Sequence, residues 1–91
     1  MSMAWRIELS ALAQKNLRSL DRTVAQRILR FLHERIAPAD DPRSVGDALK
    51  GSKLGGFWKY RVGDYRLIAH IDDGVARVLV LHIGHRRDVY R

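Results

Sequence analysis

The feature that most constrains this chain is a change of hydrophobic period at Phe57. Before it, apolar residues recur at helical spacing; after it, they alternate with polar ones, as in strands with one buried face. Val24, Ala25, Ile28, Leu29, Leu32 and Ile36 form one continuous stripe, with Arg22, Gln26, Arg30, His33 and Glu34 opposite. This predicts an amphipathic helix capped by Asp21. A shorter helix over "ALAQKNLRSL" precedes it, capped by Ser10, with Leu12, Ala13, Leu17 and Leu20 on one side. "AWRIEL", Ala4 to Leu9, predicts a single strand before both.

From Phe57 onward the pattern predicts a three-stranded antiparallel meander. "FWKYRV" meets "YRLIAHI" across Gly63-Asp64, and that strand meets "VARVLVLHI" across Asp73-Gly74. The two-residue first turn pairs Arg61 with Arg66, Lys59 with Ile68 and Trp58 with Ala69. Trp58, Tyr60, Leu67, Ala69, Val78 and Val80 then share the face that packs on the helices. Lys59, Arg61, Arg66 and His70 share the outer one. Residues 37–56, which hold both prolines and four of the seven glycines, are expected to be a connecting segment.

Two arginines directly opposite on neighbouring strands repel, and neither facing strand offers a carboxylate on that side. An anionic ligand would resolve the conflict. The whole chain leans the same way: 17 Lys and Arg against 10 Asp and Glu leave +7, most of the cations being arginine, whose planar fork suits phosphate. The excess is uneven, +4 over residues 1–36, −2 over 37–49 and +5 over 50–91. A polyanion such as nucleic acid is the implied partner.

Other classes are set aside by composition. Ninety-one residues predict one domain over residues 1–91. Without cysteine there is no disulfide or thiolate metal site, and the four histidines lack metal-ligand spacing, so no metal or cofactor is expected. No apolar run approaches the roughly 20 residues of a membrane span, and "MSMAWRIELS" has no signal-peptide h-region; a cytoplasmic protein without membrane contact is expected.

The segment "IGHRRDVYR", Ile83 to Arg91, gathers His85, Arg86, Arg87, Tyr90 and Arg91 just past the last strand. A phenol, an imidazole and guanidiniums beside a basic sheet face are suited to phosphodiester cleavage. There the ribose 2′-OH attacks the adjacent phosphorus, and cations stabilise the phosphorane.

The order of a strand, two helices and a meander, with "LKGS", "FWKYRVGDYRLIAHI" and "VLVLHIGHRRDVY", resembles the RelE and ParE superfamily of bacterial toxins over nearly the whole chain. The resemblance implies an α+β, RelE-like fold (β-α-α-β-β-β): a two-helix hairpin on an antiparallel sheet of about four strands. It further implies the toxin of a type II toxin-antitoxin system, a metal-independent endoribonuclease that cleaves mRNA in the ribosomal A site. Its partners would be a cognate antitoxin, the ribosome and mRNA, with operator DNA reached only through the antitoxin complex.

By the same resemblance Lys59 and Arg61 match the two basic sheet positions, Arg66 the phosphate-binding arginine, Arg86 the arginine after the last strand and Tyr90 the tyrosine. Arg61 stands where a lysine is found in relatives; a guanidinium is a poor proton shuttle, so its expected role is electrostatic. The general base is open among Lys59, Tyr90 and, more weakly, His85. The cationic face of helix two, with Arg22 and Arg30, is expected to orient the toxin on ribosomal RNA. Two rival readings share the fold: a ParE-type gyrase inhibitor without nuclease chemistry, and an inactive toxin-fold binding protein.

Overall fold

The computed structural model describes residues 4–49 and 56–87. Strand β1 (Arg6–Leu9) leads into helices α1 (Ala11–Ser19) and α2 (Arg22–Phe31). Both caps are formed as the sequence predicts, with Ser10 Oγ accepting from the Ala13 N–H at 3.0 Å and Asp21 Oδ2 from the Thr23 N–H at 3.2 Å. α2 then widens into a π-helical turn, Leu32–Ile36, closed by the Ala37 N–H on Leu32 O. The wider turn keeps Ile36 in line with Ile28 and Leu32, and all three are fully buried.

A 3₁₀ turn (Pro42–Val45) and a two-residue strand β2 (Asp47–Ala48) precede the meander of β3 (Phe57–Val62), β4 (Tyr65–Asp72) and β5 (Arg77–His85). The sheet order is β1-β5-β4-β3-β2. The expected antiparallel sheet of about four strands is therefore a mixed sheet of five. β1 lies parallel to β5, and β2 adds an antiparallel edge beside β3. A two-residue strand inside a segment rich in Gly, Pro and Asp leaves no period to detect.

The β3–β4 register is the expected one, Arg61 opposite Arg66 and Lys59 opposite Ile68. The β4–β5 connection differs from the expected two-residue turn. Asp72 and Arg77 close a loop over residues 73–76, in which a 3₁₀ turn ends at Ala76 in left-handed conformation, φ 50°. Asp72 Oδ1 accepts from the Gly74 N–H at 3.1 Å, so the aspartate before the Asp-Gly pair shapes the turn with its side chain.

A β-bulge shifts the β4–β5 register between Ile68 and Ala69, which pair with His82 and Val80 and leave Leu81 without a partner residue. The bulge resolves a break in alternation, because Val80 and Ile83 are both buried although three positions apart. Helix α1 holds it in place. Ser10 Oγ donates to Leu81 O at 2.8 Å, and the Ile83 N–H donates to Asn16 Oδ1 at 3.0 Å. One serine thus caps a helix and satisfies a carbonyl of the bulge.

The core lies between the helices and one sheet face. Ala13, Ile28, Leu32 and Ile36 meet Tyr60, Leu67, Ala69, Val78, Val80 and Ile83, all at most 2% exposed. Burying each of the larger aliphatic side chains is worth about 1.5–3 kcal/mol. Tyr60 packs edge to face on Phe31, and its hydroxyl donates to Pro42 O at 2.8 Å. Trp58, also expected in the core, is only half-buried at its margin, with the Arg43 guanidinium 5.9 Å from the ring centre. Arg43 also grips Asp73 with both Nη atoms, tying the 3₁₀ turn before β2 to the β4–β5 loop. That pairing raises the Arg43 pKa and lowers that of Asp73. No helix among the described residues is long and apolar enough to cross a membrane.

Candidate nucleic-acid interface

The β3–β4 hairpin places the cations. Gly63, at φ +59°, takes the first central position of its turn, where positive φ is required and glycine carries no steric cost. Tyr60, Val62, Leu67 and Ala69 turn inward and fix the register, because a slip by one residue would expose all four. Lys59, Arg61 and Arg66 are thereby committed to the outer face. They line one cavity of about 150 Å³, whose edge is supplied by Asp47.

Asp47 is the residue sequence reasoning missed. It is the register partner of Lys59 on the edge strand and brings a carboxylate to the end of the face where β3 and β4 offer none. Its only signal would have been the pairing of β2 itself.

Arg66 is half-buried and folded back, Nη1 donating to Gly63 O at 3.1 Å and to Tyr65 O at 3.0 Å. Its Nε and Nη2 make no hydrogen bond among the described residues, which leaves donors of the fork for an anion. Arg61 is exposed and forms neither an ion pair nor a side-chain hydrogen bond among those residues. The other end of the same face provides a contrast. There Arg6 and Arg77 are also register partners, but Glu8 lies 3.4 Å from Arg6 Nε and 3.5 Å from Arg77 Nη1, and Asp72 lies 3.4 Å from Arg77 Nη2. One opposed arginine pair carries its counter-charges, and the other, Arg61 with Arg66, has none beside it on its two strands.

Arg86 is exposed just beyond β5, and its backbone N–H donates to Asp64 O at 2.8 Å. The end of the last strand is thus stapled to the turn that carries Arg61 and Arg66. On β5 the partner of Arg66 is Gly84, a position with no side chain.

His85 goes elsewhere. It pairs with Tyr65, ring centres 5.7 Å apart at 81°, in alternation with the buried Leu67 and Ile83, so it belongs to the helix-facing side. Its Nδ1 accepts from the Arg87 N–H at 3.2 Å. Tyr90 lies outside the described residues, as does most of "LKGS". Lys59, Arg61 and Arg66 are therefore brought together, with Arg86 tethered to the same turn, and His85 is not. Among the described residues no three His, Asp or Glu side chains are grouped to hold a metal.

Comparison with known proteins gives this geometry a family. A model described as the ParE toxin of the type II toxin-antitoxin system parDE matches residues 7–90. The chain belongs to the RelE/ParE family of type II toxins. It is 29% identical to Toxin RelG of Mycobacterium tuberculosis over 89 residues, covering 98% of this chain and 99% of that protein. To Toxin RelE of the same organism it is 31% identical over 87 residues, covering 96% and 87%. The fold superposes on the crystal structure of the toxin-antitoxin complex RelBE2 from M. tuberculosis with a TM-score of 0.83 at 26% identity, covering 97% of this chain and 98% of that one. The RelE/ParE fold accordingly accounts for the mixed sheet and the two packed helices.

Proposed function

We propose that this toxin is a metal-independent endoribonuclease that cleaves mRNA in the ribosomal A site. The observation that carries the reading is the opposed pair Arg61 and Arg66, which with Lys59 lines one outward cavity and has no carboxylate of β3 or β4 beside it. Such a site suits a scissile phosphodiester. The ribose 2′-OH gives up its proton and attacks the adjacent phosphorus. The bond from phosphorus to the 5′-oxygen breaks, and that oxygen leaves with a proton. The products are a 2′,3′-cyclic phosphate and a 5′-hydroxyl.

Arg66, held by the Gly63 and Tyr65 carbonyls, presents donors at a fixed place, and Arg61 opposite it stabilises the charge that grows on the phosphorane. Arg86 enters from the end of β5. Proton transfer falls to Lys59 and Tyr90, because His85 lies on the helix-facing side of the sheet. The toxin works in the cytoplasm, where a cognate antitoxin covers the basic face and the complex of the two binds operator DNA. The RelBE2 complex, in which a relative of similar fold is held by an antitoxin, supports such a partner.

The test is the chemistry of the ends. Ribosomes programmed with mRNA and treated with the toxin should yield downstream fragments with 5′-hydroxyls, which ligate only after phosphorylation. Fragments with 5′-phosphates contradict the mechanism. A second reading, gyrase inhibition, draws on the ParE description of the matching family model. It predicts inhibition of DNA supercoiling that persists in Arg66→Ala, with mRNA left intact.

A further inference from the structure

A second groove lies on the other side of the β3–β4 turn. It has a volume of about 370 Å³ and lies between the end of α2 with its π turn and the hairpin, lined by Arg27, Arg30, Phe31, Glu34, Arg35 and Arg61 among others. Four arginines meet one carboxylate there. Among the described residues, none of the four forms an ion pair or a side-chain hydrogen bond, with Glu34 or any other group. Four such cations around one concavity repel each other unless an anion enters.

Arg61 lines both this groove and the cavity of Lys59 and Arg66. The two are joined through Gly63. A Cβ built on that glycine would stand 3.0 Å from Arg27 Nη1, so one guanidinium lies against the turn from the helix side. Arg66 Nη1 is bonded to the carbonyl of the same residue. The cations therefore run as a continuous track from helix to sheet, passing over a turn with no side chain.

We propose that the groove of Arg27 and Arg30 holds a second backbone phosphate of the RNA strand whose reacting phosphate lies at Arg61 and Arg66. The inference rests on the nuclease reading and adds a subsite to it. Two adjoining cationic hollows with a shared arginine fit a ligand whose anions repeat along a chain, and a phosphodiester backbone has that property. The half-buried Phe31 in the wall offers apolar surface to the sugar or base between phosphates. Arg27 and Arg30 are positioning residues. They fix where the strand lies and leave the reacting atoms to the sheet.

The experiment is fluorescence anisotropy with 2′-O-methyl RNA of two and nine nucleotides, which binds but cannot be cleaved, over a salt series. Each phosphate neutralised on a single strand contributes about 0.7 to the slope of log affinity against log salt. The Arg27→Gln/Arg30→Gln double variant should lower the nine-mer slope by about 0.7 and its low-salt affinity about tenfold, leaving the two-mer, which has a single phosphate, unchanged. Arg18→Gln, exposed on α1 and outside both hollows, should change neither. The inference is overturned if the double variant binds the nine-mer with the wild-type slope. It is equally overturned if Arg18→Gln has the same effect, if both lengths weaken together, if the wild type shows no salt-dependent binding, or if only antitoxin binding suffers. Because the probe lacks the 2′-OH nucleophile, a protein without cleavage activity but with the length-dependent slope keeps the groove and loses only the nuclease reading. An active toxin whose slope ignores Arg27 and Arg30 loses only the groove.

Discussion

Arg61 and Arg66 are register partners across β3 and β4 with no carboxylate on either strand's outer face beside them, whereas the equivalent pair Arg6 and Arg77 is bridged by Glu8 and flanked by Asp72. Cross-strand pairs are worth roughly 0.2–1 kcal/mol, and like charges make that contribution unfavourable. Arg61→Thr should therefore raise the unfolding free energy by roughly 0.2–1 kcal/mol in urea titration. The same substitution should slow cleavage about a hundredfold, the usual loss for one electrostatic stabiliser. A variant both less stable and fully active would refute this account of the pair.

Tyr60 links the core to the segment that carries β2. Burial pushes its pKa up to about 12, against the pull of Arg43, and its hydroxyl donates to Pro42 O. A tyrosine whose folded pKa is raised keeps its proton longer in the native state than in the unfolded chain, where it titrates near 10. Its contribution is therefore intact below about pH 10 and is lost as pH rises toward about 12, a loss on the order of 3 kcal/mol. Tyr60→Phe should cost about 1–2 kcal/mol at neutral pH and remove that part of the alkaline decline, as read by urea titrations at pH 8, 10 and 11.

Gly46 is a glycine for lack of room. A Cβ there would stand 2.6 Å from Lys59 O and 2.8 Å from Tyr60 Cε1, although its φ of −122° suits any residue. Gly46→Ala should cost about 1–3 kcal/mol and displace Asp47 from the cavity edge. Gly63→Ala should cost about 1 kcal/mol, through its left-handed backbone. Thermal melts of both variants, with Asp47 followed by NMR, separate the two causes.

Where the chain's periods are long and regular, the fold was legible. The stripe from Val24 to Ile36 and the alternation from Phe57 to Val62 gave the helix, the hairpin and the register that sets Arg61 against Arg66. The rest depends on partners distant in sequence. β2 is strand only because β3 lies beside it; the parallel setting of β1 is decided by β5; the bulge at Leu81 is held by Ser10 and Asn16, some 70 positions away. The site divides the same way. Lys59, Arg61 and Arg66 follow from parity, while Asp47 and the position of His85 needed the edge strand and the shifted register to be known.

The central claim is that an RNA phosphate lies between Arg61 and Arg66 on the ribosome. The most direct measurement is primer extension on mRNA incubated with purified toxin, with and without programmed ribosomes, comparing wild type with Arg66→Ala and Arg86→Ala. Circular dichroism of each protein serves as the folding control. The account predicts cuts that require ribosomes and fall about a hundredfold in each folded variant, about 3 kcal/mol of transition-state stabilisation. Undiminished cleavage by a folded Arg66→Ala, or no cleavage by a folded wild type in the presence of ribosomes, would contradict it.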